Sequence, residues 1–407
     1  MRAIILGGVA PHIELIKNLK KRGYETILLD YYENPPAREY ADRFYRISTL
    51  DYEAVKEAAE KEKADLIITI CVDHANVIMC RAAEELGLPA PYSYHTALMT
   101  TNKGLMKQQM MASGIPTGNF CVLNSPGDPV TELGFPVVVK PVDNNGSKGV
   151  RKAETEEELS EHIKNAFQFS RTGQVIVEEF YEGKEIQVDC FANEGRANVL
   201  MIREKLKIPR ASGLAMQTYG SILPAILPAG LTKKIQVIAQ SIVEGFGLEH
   251  TPFFFQAIAD NTDIKVLELT PRIGGGLSYK MLRDHVGFDV VDAAVDSYFG
   301  NLPEIDFSVK DTYMITRILY GTDGVFAEVK GVEKMKEEKV ITSFDFMAEK
   351  GKRLPPIIDN WVDSRNRIGA YIIEGLDYED VVKKAETAFR EIDAVDPEGQ
   401  SILWRIF

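Results

Sequence analysis

The densest chemistry in this sequence surrounds Asp260-Asn261-Thr262-Asp263, a polar turn between the apolar runs Pro252 to Ala259 and Ile264 to Thr270. A hairpin symmetric about Thr262 puts Gln256 directly opposite Glu268, and the period of two puts Thr270 on the same face. Three oxygen-bearing side chains then share one face of an otherwise apolar sheet. Burying such groups without partners is costly, and a hard cation bridging phosphate oxygens would satisfy them. A single charge facing water is the plain alternative, and the flanking Val266, Leu267 and Leu269 argue against it. Immediately after come Pro271, Arg272 and Gly274-Gly275-Gly276, a guanidinium and a run of backbone donors where a transferred phosphoryl group or an oxyanion can be held.

A second constellation lies earlier, where Pro136-Val137-Val138-Val139-Lys140-Pro141 leads into Asp143-Asn144-Asn145-Gly146-Ser147-Lys148-Gly149-Val150. Glycines let backbone N–H groups turn inward on an anion, Ser147 adds a hydroxyl donor, and the strand-end Lys140 supplies compact positive charge. The pattern suits a triphosphate, although G-x-x-x-x-G-K-[ST] is absent and this is not a P-loop. Either feature alone would read as a hairpin tip with an exposed lysine; their adjacency favours phosphate. Next, Val175-Ile176-Val177-Glu178-Glu179-Phe180-Tyr181-Glu182-Gly183-Lys184-Glu185 carries an apolar strand into paired acids and a glycine turn. Backbone groups there can read an adenine edge and a carboxylate can take ribose hydroxyls, but taken alone such a segment is more often a solvated turn.

These residues need a scaffold. Residues 2 to 6 read as a strand, Pro11 opens a helix bearing Ile13, Leu15, Ile16 and Leu19, Gly23 closes it, and Glu25 to Asp30 is a second strand. A helix over Lys56 to Lys63, a strand over Leu66 to Val72 and a helix over Ala75 to Leu86 complete a doubly wound βαβ domain spanning 1–95. Asp30 stands where a ribose-binding acid would end a Rossmann strand, but Gly7-Gly8-Val9-Ala10-Pro11-His12 lacks G-x-G-x-x-G. A nicotinamide-dependent oxidoreductase is therefore the weaker reading of that domain. From about residue 116 the texture changes to short strands at Pro136 to Lys140, Gln174 to Glu179, Glu185 to Ala192 and Ala197 to Ile202. Thr155-Glu156-Glu157-Glu158 is a capping box opening a helix between them. Thr232 caps a further helix that Gly247 stops. After residue 310 come two strands, Tyr313 to Tyr320 and Ile368 to Glu374, and a helix over Tyr378 to Ile392. The uncharged window Ala211 to Thr232 contains Pro224, Pro228 and three glycines, and reads as a loop rather than a membrane span. The whole stretch from Arg203 to Pro228 is expected to be an unusual loop shaping an acceptor pocket.

The chain of 407 residues is long enough for two to three domains, and apolar and charged fractions of 45% and 26% are ordinary globular values. With 47 Lys and Arg against 60 Asp and Glu the net charge is −13, a field that repels nucleic acid and anionic membrane surfaces. Cys71, Cys80, Cys121 and Cys190 show no C-x-x-C spacing, so a reducing, cytoplasmic setting is expected.

The residues resemble those of the ATP-grasp enzymes, with matching element order over most of the chain; the Gln256 to Glu268 spacing and the Glu-x-Thr-Pro-Arg run look like the synthetase halves of carbamoyl-phosphate synthetase and their single-copy relatives, amino-acid ligases among them. The resemblance implies an α/β protein in which the N-terminal domain precedes a two-lobed α+β ATP-grasp domain over 96–310, with a lid lobe about 116–190, and a C-terminal α+β subdomain over 311–407. It implies that Lys103 and Lys140 contact the ATP phosphates while Gly146, Ser147, Lys148 and Gly149 fold over them. Glu178 and the backbone of Glu179 and Tyr181 would hold the adenine, and Glu185 the ribose. Gln256, Glu268 and Thr270 match magnesium ligands, with manganese a possible substitute. The family usually has asparagine where this chain has Thr270, a shorter ligand, so one metal site is expected and a second depends on that position. Arg272 would act on the transferred phosphoryl group, with Lys140 and the glycine run at Gly275 completing the catalytic set. The implied reaction phosphorylates a carboxylate with ATP and lets an amine attack the acyl phosphate, giving an amide, ADP and phosphate. The alternative within the fold is carboxyphosphate or phosphoribosylglycinamide-type chemistry, for which only Arg203, Arg210 and Arg272 are candidate phosphate-binding arginines. Expected partners are small-molecule carboxylates and amines and a second copy of the chain, not nucleic acid or membrane.

Overall fold

The computed structural model describes residues 1–144, 148–210, 213–357, 362 and 364–405. Its first layer is a parallel sheet of order β3-β2-β1-β4. The strands are β1 (Arg2–Leu6), β2 (Glu25–Asp30), β3 (Arg43–Arg46) and β4 (Leu66–Ile68), with α1 (Pro11–Lys21) and α2 (Tyr52–Glu62) as crossovers and α3 (Asp73–Leu86) following β4. Pro11 occupies the first turn of α1, where a missing N–H costs nothing, and Gly23 leaves it at φ +83°. The apolar run expected to be strand as far as Val72 leaves the sheet after Ile68 and turns into α3, which brings Asp73 to a helix start. α4 (Tyr94–Thr101) and α5 (Lys103–Ala112) then lead out of this layer, and Asn102 caps α5 by accepting from the Gly104 and Leu105 N–H groups.

A smaller antiparallel sheet follows, ordered β5-β8-β6-β7, from β5 (Phe120–Leu123), β6 (Val137–Pro141), β7 (Arg151–Ala153) and β8 (Val175–Glu179). Leu159, Ile163 and Ala166 of α6 (Glu156–Phe169) pack on Val137, Val139, Val175 and Val177, and Thr155 caps the helix as its capping pattern predicts. The largest layer is an eight-stranded sheet. Its first five strands in sequence are β9 (Lys184–Asn193), β10 (Arg196–Arg210), β11 (Gly213–Leu223), β12 (His250–Ala259) and β13 (Ile264–Thr270), with α7 (Leu231–Phe246) covering one face through Ile235, Ile238, Ile242 and Phe246. After α8 (Ser278–Met281) and α9 (Val290–Tyr298) it gains β14 (Tyr313–Tyr320). The short elements β15 (Gly324–Val325), β16 (Glu328–Lys330) and α10 (Val332–Glu337) precede β17 (Ser343–Phe346), and β18 (Arg353–Leu354) precedes β19 (Arg367–Gly375); α11 (Tyr378–Glu391) and β20 (Asp393–Val395) end the series. The order β13-β12-β9-β10-β11-β14-β19-β17 makes the C-terminal strands a direct continuation of the strands that carry the metal-ligand pattern.

The expected loop from Arg203 to Pro228 is mostly sheet, a correction with a clear cause. β10 and β11 pair through Lys205↔Ser221 and Glu204↔Ile222, and β11 pairs with β14 through Ser221↔Thr316. Gly220, which reads as a turn residue, sits where a Cβ would lie 2.0 Å from the Thr316 carbonyl oxygen: close backbone approach within a strand requires the glycine. Among the described residues no helix is long and apolar enough to cross a membrane.

Candidate active site

A cavity of about 930 Å³ opens between the small sheet and the inner face of the large one. It gathers Lys103, Lys140, Glu178, Glu179, Tyr181, Glu185, Gln256, Glu268, Thr270, Arg272 and Gly275 into one lining. The hairpin behind it has the expected register at its functional end: Gln256 faces Glu268 and Phe254 faces Thr270. Between Gln256 and Ala257 the pairing slips by one, so that Ala257 faces Val266 and Leu267 is the extra residue. The bulge lets Glu268 and Leu267 both reach the cavity while Val266 stays in the core. Gln256, Glu268 and Thr270 offer an amide oxygen, one carboxylate and a hydroxyl. That set fits a magnesium ion held by one protein carboxylate with phosphate oxygens and water completing its shell. Among the described residues no three His, Cys, Asp or Glu cluster as an all-protein metal cage.

Lys103 starts α5 and donates from Nζ to the Asn144 carbonyl at 2.7 Å, with Glu268 Oε2 3.8 Å away. Lys140 and Lys107 share the Glu178 carboxylate; Lys107 Nζ lies 2.9 Å from Oε2, and all three side chains are buried. Burial alone would raise the Glu178 carboxyl, but the two ammoniums override it and hold it at about 2. Glu178 thus lines the cavity with its carboxylate shared by two lysines. Glu179 accepts from the Asn119 backbone and side chain at 3.1 and 3.0 Å and from Tyr181 Oη, so its side chain shapes the rim. Glu185 pairs with Lys207.

Arg272 is bound by Asp73 through Nε, donates from Nη1 to the Ile273 carbonyl at 2.7 Å, and stacks on Phe254 at 5.1 Å. Burial would raise the Asp73 carboxyl; the guanidinium holds it below its ordinary value. The triple glycine rests on a buried polar network in which Gln187 Nε2 donates to Asp189 Oδ1 at 2.9 Å, Arg203 pairs with Asp189 and Ser278, and Ser278 Oγ donates to the Gly275 carbonyl at 2.9 Å. A Cβ at Gly274 would lie 2.5 Å from Asp189 Oδ1, so a larger residue would displace this network.

Some expectations fall elsewhere. Lys148 and Gly149 are not among the cavity-lining residues; Gly149 is buried, with Pro141 and Phe169 within 3.2 Å of where its Cβ would stand. Gly146, Ser147 and the side chain of Arg210 lie outside the described residues. Asp30 accepts from the Gly8 and Tyr32 N–H groups at 2.7 and 2.9 Å, which commits it to its own turn and away from a ribose. Sequence reasoning missed Lys107, Asp73, Lys205 and Lys207. Arg203, Lys205 and Lys207 alternate along β10, so a period-two basic face was the available signal once the segment was read as strand. Nothing local announces Lys107 or Asp73, whose ion-pair partners Glu178 and Arg272 lie 71 and 199 residues away.

Comparison with known proteins agrees with this geometry. Residues 133–280 match the ATP-grasp domain, and residues 317–395 match the L-amino acid ligase C-terminal domain 2. Residues 133–280 thus form an ATP-grasp domain. The match takes in β6 to β13 and ends just beyond the triple glycine. Formate-dependent phosphoribosylglycinamide formyltransferase of Pasteurella multocida (strain Pm70) is 30% identical over 184 residues, 44% of this chain and 47% of that protein. The enzyme of that name from Bacillus subtilis (strain 168) is 27% identical over 184 residues, 44% of this chain and 48% of that protein. The chain thus spans about half the length of these curated relatives. Among solved structures, L-amino acid ligase from Bacillus licheniformis superposes with a TM-score of 0.80 at 19% identity, over 97% of this chain and 98% of that one. Phosphoribosylglycinamide synthetase from Anaerococcus prevotii gives 0.74 at 18% identity, over 97% and 99%. These likenesses establish the fold.

Proposed function

We propose that this ATP-grasp protein is an ADP-forming carboxylate–amine ligase. The observation that carries the reading is the convergence of Lys103, Lys140, Gln256, Glu268, Thr270 and Arg272 on one cavity between two sheets. In the proposed reaction a carboxylate oxygen attacks the γ-phosphorus of ATP, ADP leaves, and an amine nitrogen then attacks the acyl carbon, expelling phosphate with the C–O electron pair. No protein nucleophile is required, so the chain acts by alignment and charge neutralisation. Lys140 and Lys103 face the phosphates from the small sheet and from α5. Arg272, fixed by Asp73, presents its remaining guanidinium edge to the transferring group, where bidentate donation outperforms a point charge. The Gly274 to Gly276 backbone stands beside it, held by Arg203 and Ser278. Magnesium bound at Gln256, Glu268 and Thr270 would neutralise phosphate charge and orient the oxygens. One magnesium site that also accepts manganese, and a homodimeric assembly, belong to the same proposal.

A second reading, a ligase of phosphate-bearing amines in nucleotide biosynthesis, draws on the curated relatives named for phosphoribosylglycinamide. It is the weaker because Arg203 and Arg272 are both committed to acids of the chain. The test is ADP release over a panel of carboxylates and amines, with product masses. A stoichiometric amide with ADP and phosphate supports the ligase; turnover restricted to phosphoribosylamines selects the second reading, and no ATP turnover with any pair refutes both.

A further inference from the structure

The two lysines that share the Glu178 carboxylate are held very differently. Lys107 Nζ has an acceptor for each of its three N–H groups: Glu178 Oε2 at 2.9 Å, Thr117 Oγ1 at 2.6 Å and the Val266 carbonyl at 3.3 Å. Thr117 Oγ1 gives its own proton to the Val266 carbonyl at 2.8 Å, so it is an acceptor toward the lysine. Lys107 is buried and is not among the cavity-lining residues. Lys140 does line the cavity, and among the described residues its one ion-pair partner is Glu178. Glu178 thus stands between a fully committed ammonium behind it and a singly held one in front.

The backbone explains the arrangement. Lys103 and Lys107 are four residues apart on α5, so both face the same side of the helix. Glu178 of β8 lies opposite Val138 of β6, which makes Lys140 its diagonal neighbour on one face of the small sheet. An ammonium that turns toward a phosphate must give up its carboxylate. If Lys140 alone balanced Glu178, that turn would strand a buried anion, a heavily penalised state. The carboxylate cannot escape by taking a proton near neutrality, because the two lysines hold it at about 2 against the effect of burial. Burial in turn draws the Lys107 ammonium below its ordinary value, and the Glu178 charge is the largest influence opposing that. When Lys140 departs, Lys107 and Glu178 remain as a neutral pair.

We propose that Lys107 is a positioning residue for ATP: it holds the Glu178 charge from behind so that Lys140 can exchange that carboxylate for the nucleotide phosphates. The proposal rests on the reading that Lys140 meets those phosphates. Lys107 itself touches no substrate and acts only through Glu178.

The experiment measures Kd for magnesium–ATP and for adenosine by titration calorimetry on the full chain. Lys140→Met should weaken ATP and spare adenosine, which has no phosphate. Lys107→Met should weaken ATP by about tenfold or more, because Glu178 then retains Lys140, and should again spare adenosine. Lys107→Met combined with Glu178→Gln should restore ATP affinity to within about threefold of the wild type, since no carboxylate competes for Lys140. That rescue, with Lys107 still absent, is not what a mere packing role would give. If Lys107→Met does not fold, Glu178→Gln carries the test with the double variant: both should bind ATP about as tightly as the wild type or tighter. Equal weakening of ATP and adenosine in Lys107→Met, no rescue in the double variant, or weaker ATP binding by Glu178→Gln each overturns the positioning role while Lys140 keeps its place at the phosphates. Unchanged ATP affinity in Lys140→Met instead refutes the phosphate reading and the positioning role with it.

Discussion

Glu178→Gln keeps the shape of a buried side chain and removes the charge that Lys107 and Lys140 share. The exposures are 4% for Glu178, 2% for Lys107 and 9% for Lys140, so water cannot readily replace the lost partner. At the 2.9 Å separation of Lys107 and Glu178, an effective dielectric of ~20 gives a gross attraction of roughly 6 kcal/mol before desolvation. Breaking a buried pair costs ~3–5 kcal/mol net, because an uncompensated charge is left behind. Lys107 retains donors to Thr117 Oγ1 at 2.6 Å and the Val266 carbonyl at 3.3 Å, which places the expected loss at the lower end of that range. Equilibrium urea unfolding of Glu178→Gln should therefore show about 3 kcal/mol of destabilisation, and Lys107→Met with Glu178→Gln should recover part of it. A loss below about 1 kcal/mol, the range of exposed pairs, combined with weakened ATP binding would refute the reasoning and return Glu178 to the adenine.

Arg272→Lys should lower turnover far more than it weakens ATP binding, since charge is kept and the fork is lost; a parallel fall in thermal stability and both kinetic constants would make the Asp73 pair merely structural. His12 is fully buried with its pKa lowered to about 4, chiefly by desolvation. Its folded pKa lies below the unfolded value of 6.5, so its contribution, about 3 kcal/mol, is present above that value and is lost as pH falls toward 4. His12→Asn should flatten the stability profile over that window, and an unaltered profile would contradict the assignment. Gly220→Ala should lower stability by about 1–3 kcal/mol through overpacking against the Thr316 carbonyl, read as a fall in melting temperature; an unchanged melting temperature would contradict the strand contact.

The hairpin around Thr262 was legible because a short polar turn fixes register locally, and the functional pairs lie outward of the bulge that the symmetric pattern could not show. The N-terminal layer was legible for a similar reason: buried parallel strands are continuous apolar runs, and Pro11, Gly23 and Gly87 mark helix ends. β3, with arginine at both ends and only four residues, carries no such signal. β11 was misread because Gly213, Gly220 and its hydroxyl residues look like turn chemistry, when one glycine serves strand approach and Ser221 and Thr316 satisfy each other across strands. In the site, side chains on the hairpin could be assigned roles from spacing, but pairings such as Arg272 with Asp73 join distant segments and are decided by tertiary packing alone.

The central claim is that a carboxylate oxygen is phosphorylated at this site, and the direct test is isotope transfer. With a carboxylate substrate labelled in both oxygens with oxygen-18, one labelled oxygen should pass into each inorganic phosphate released, in a reaction that Glu268→Gln stops. Phosphate free of label, with both labelled oxygens retained by the acid or its product, would contradict acyl-phosphate formation.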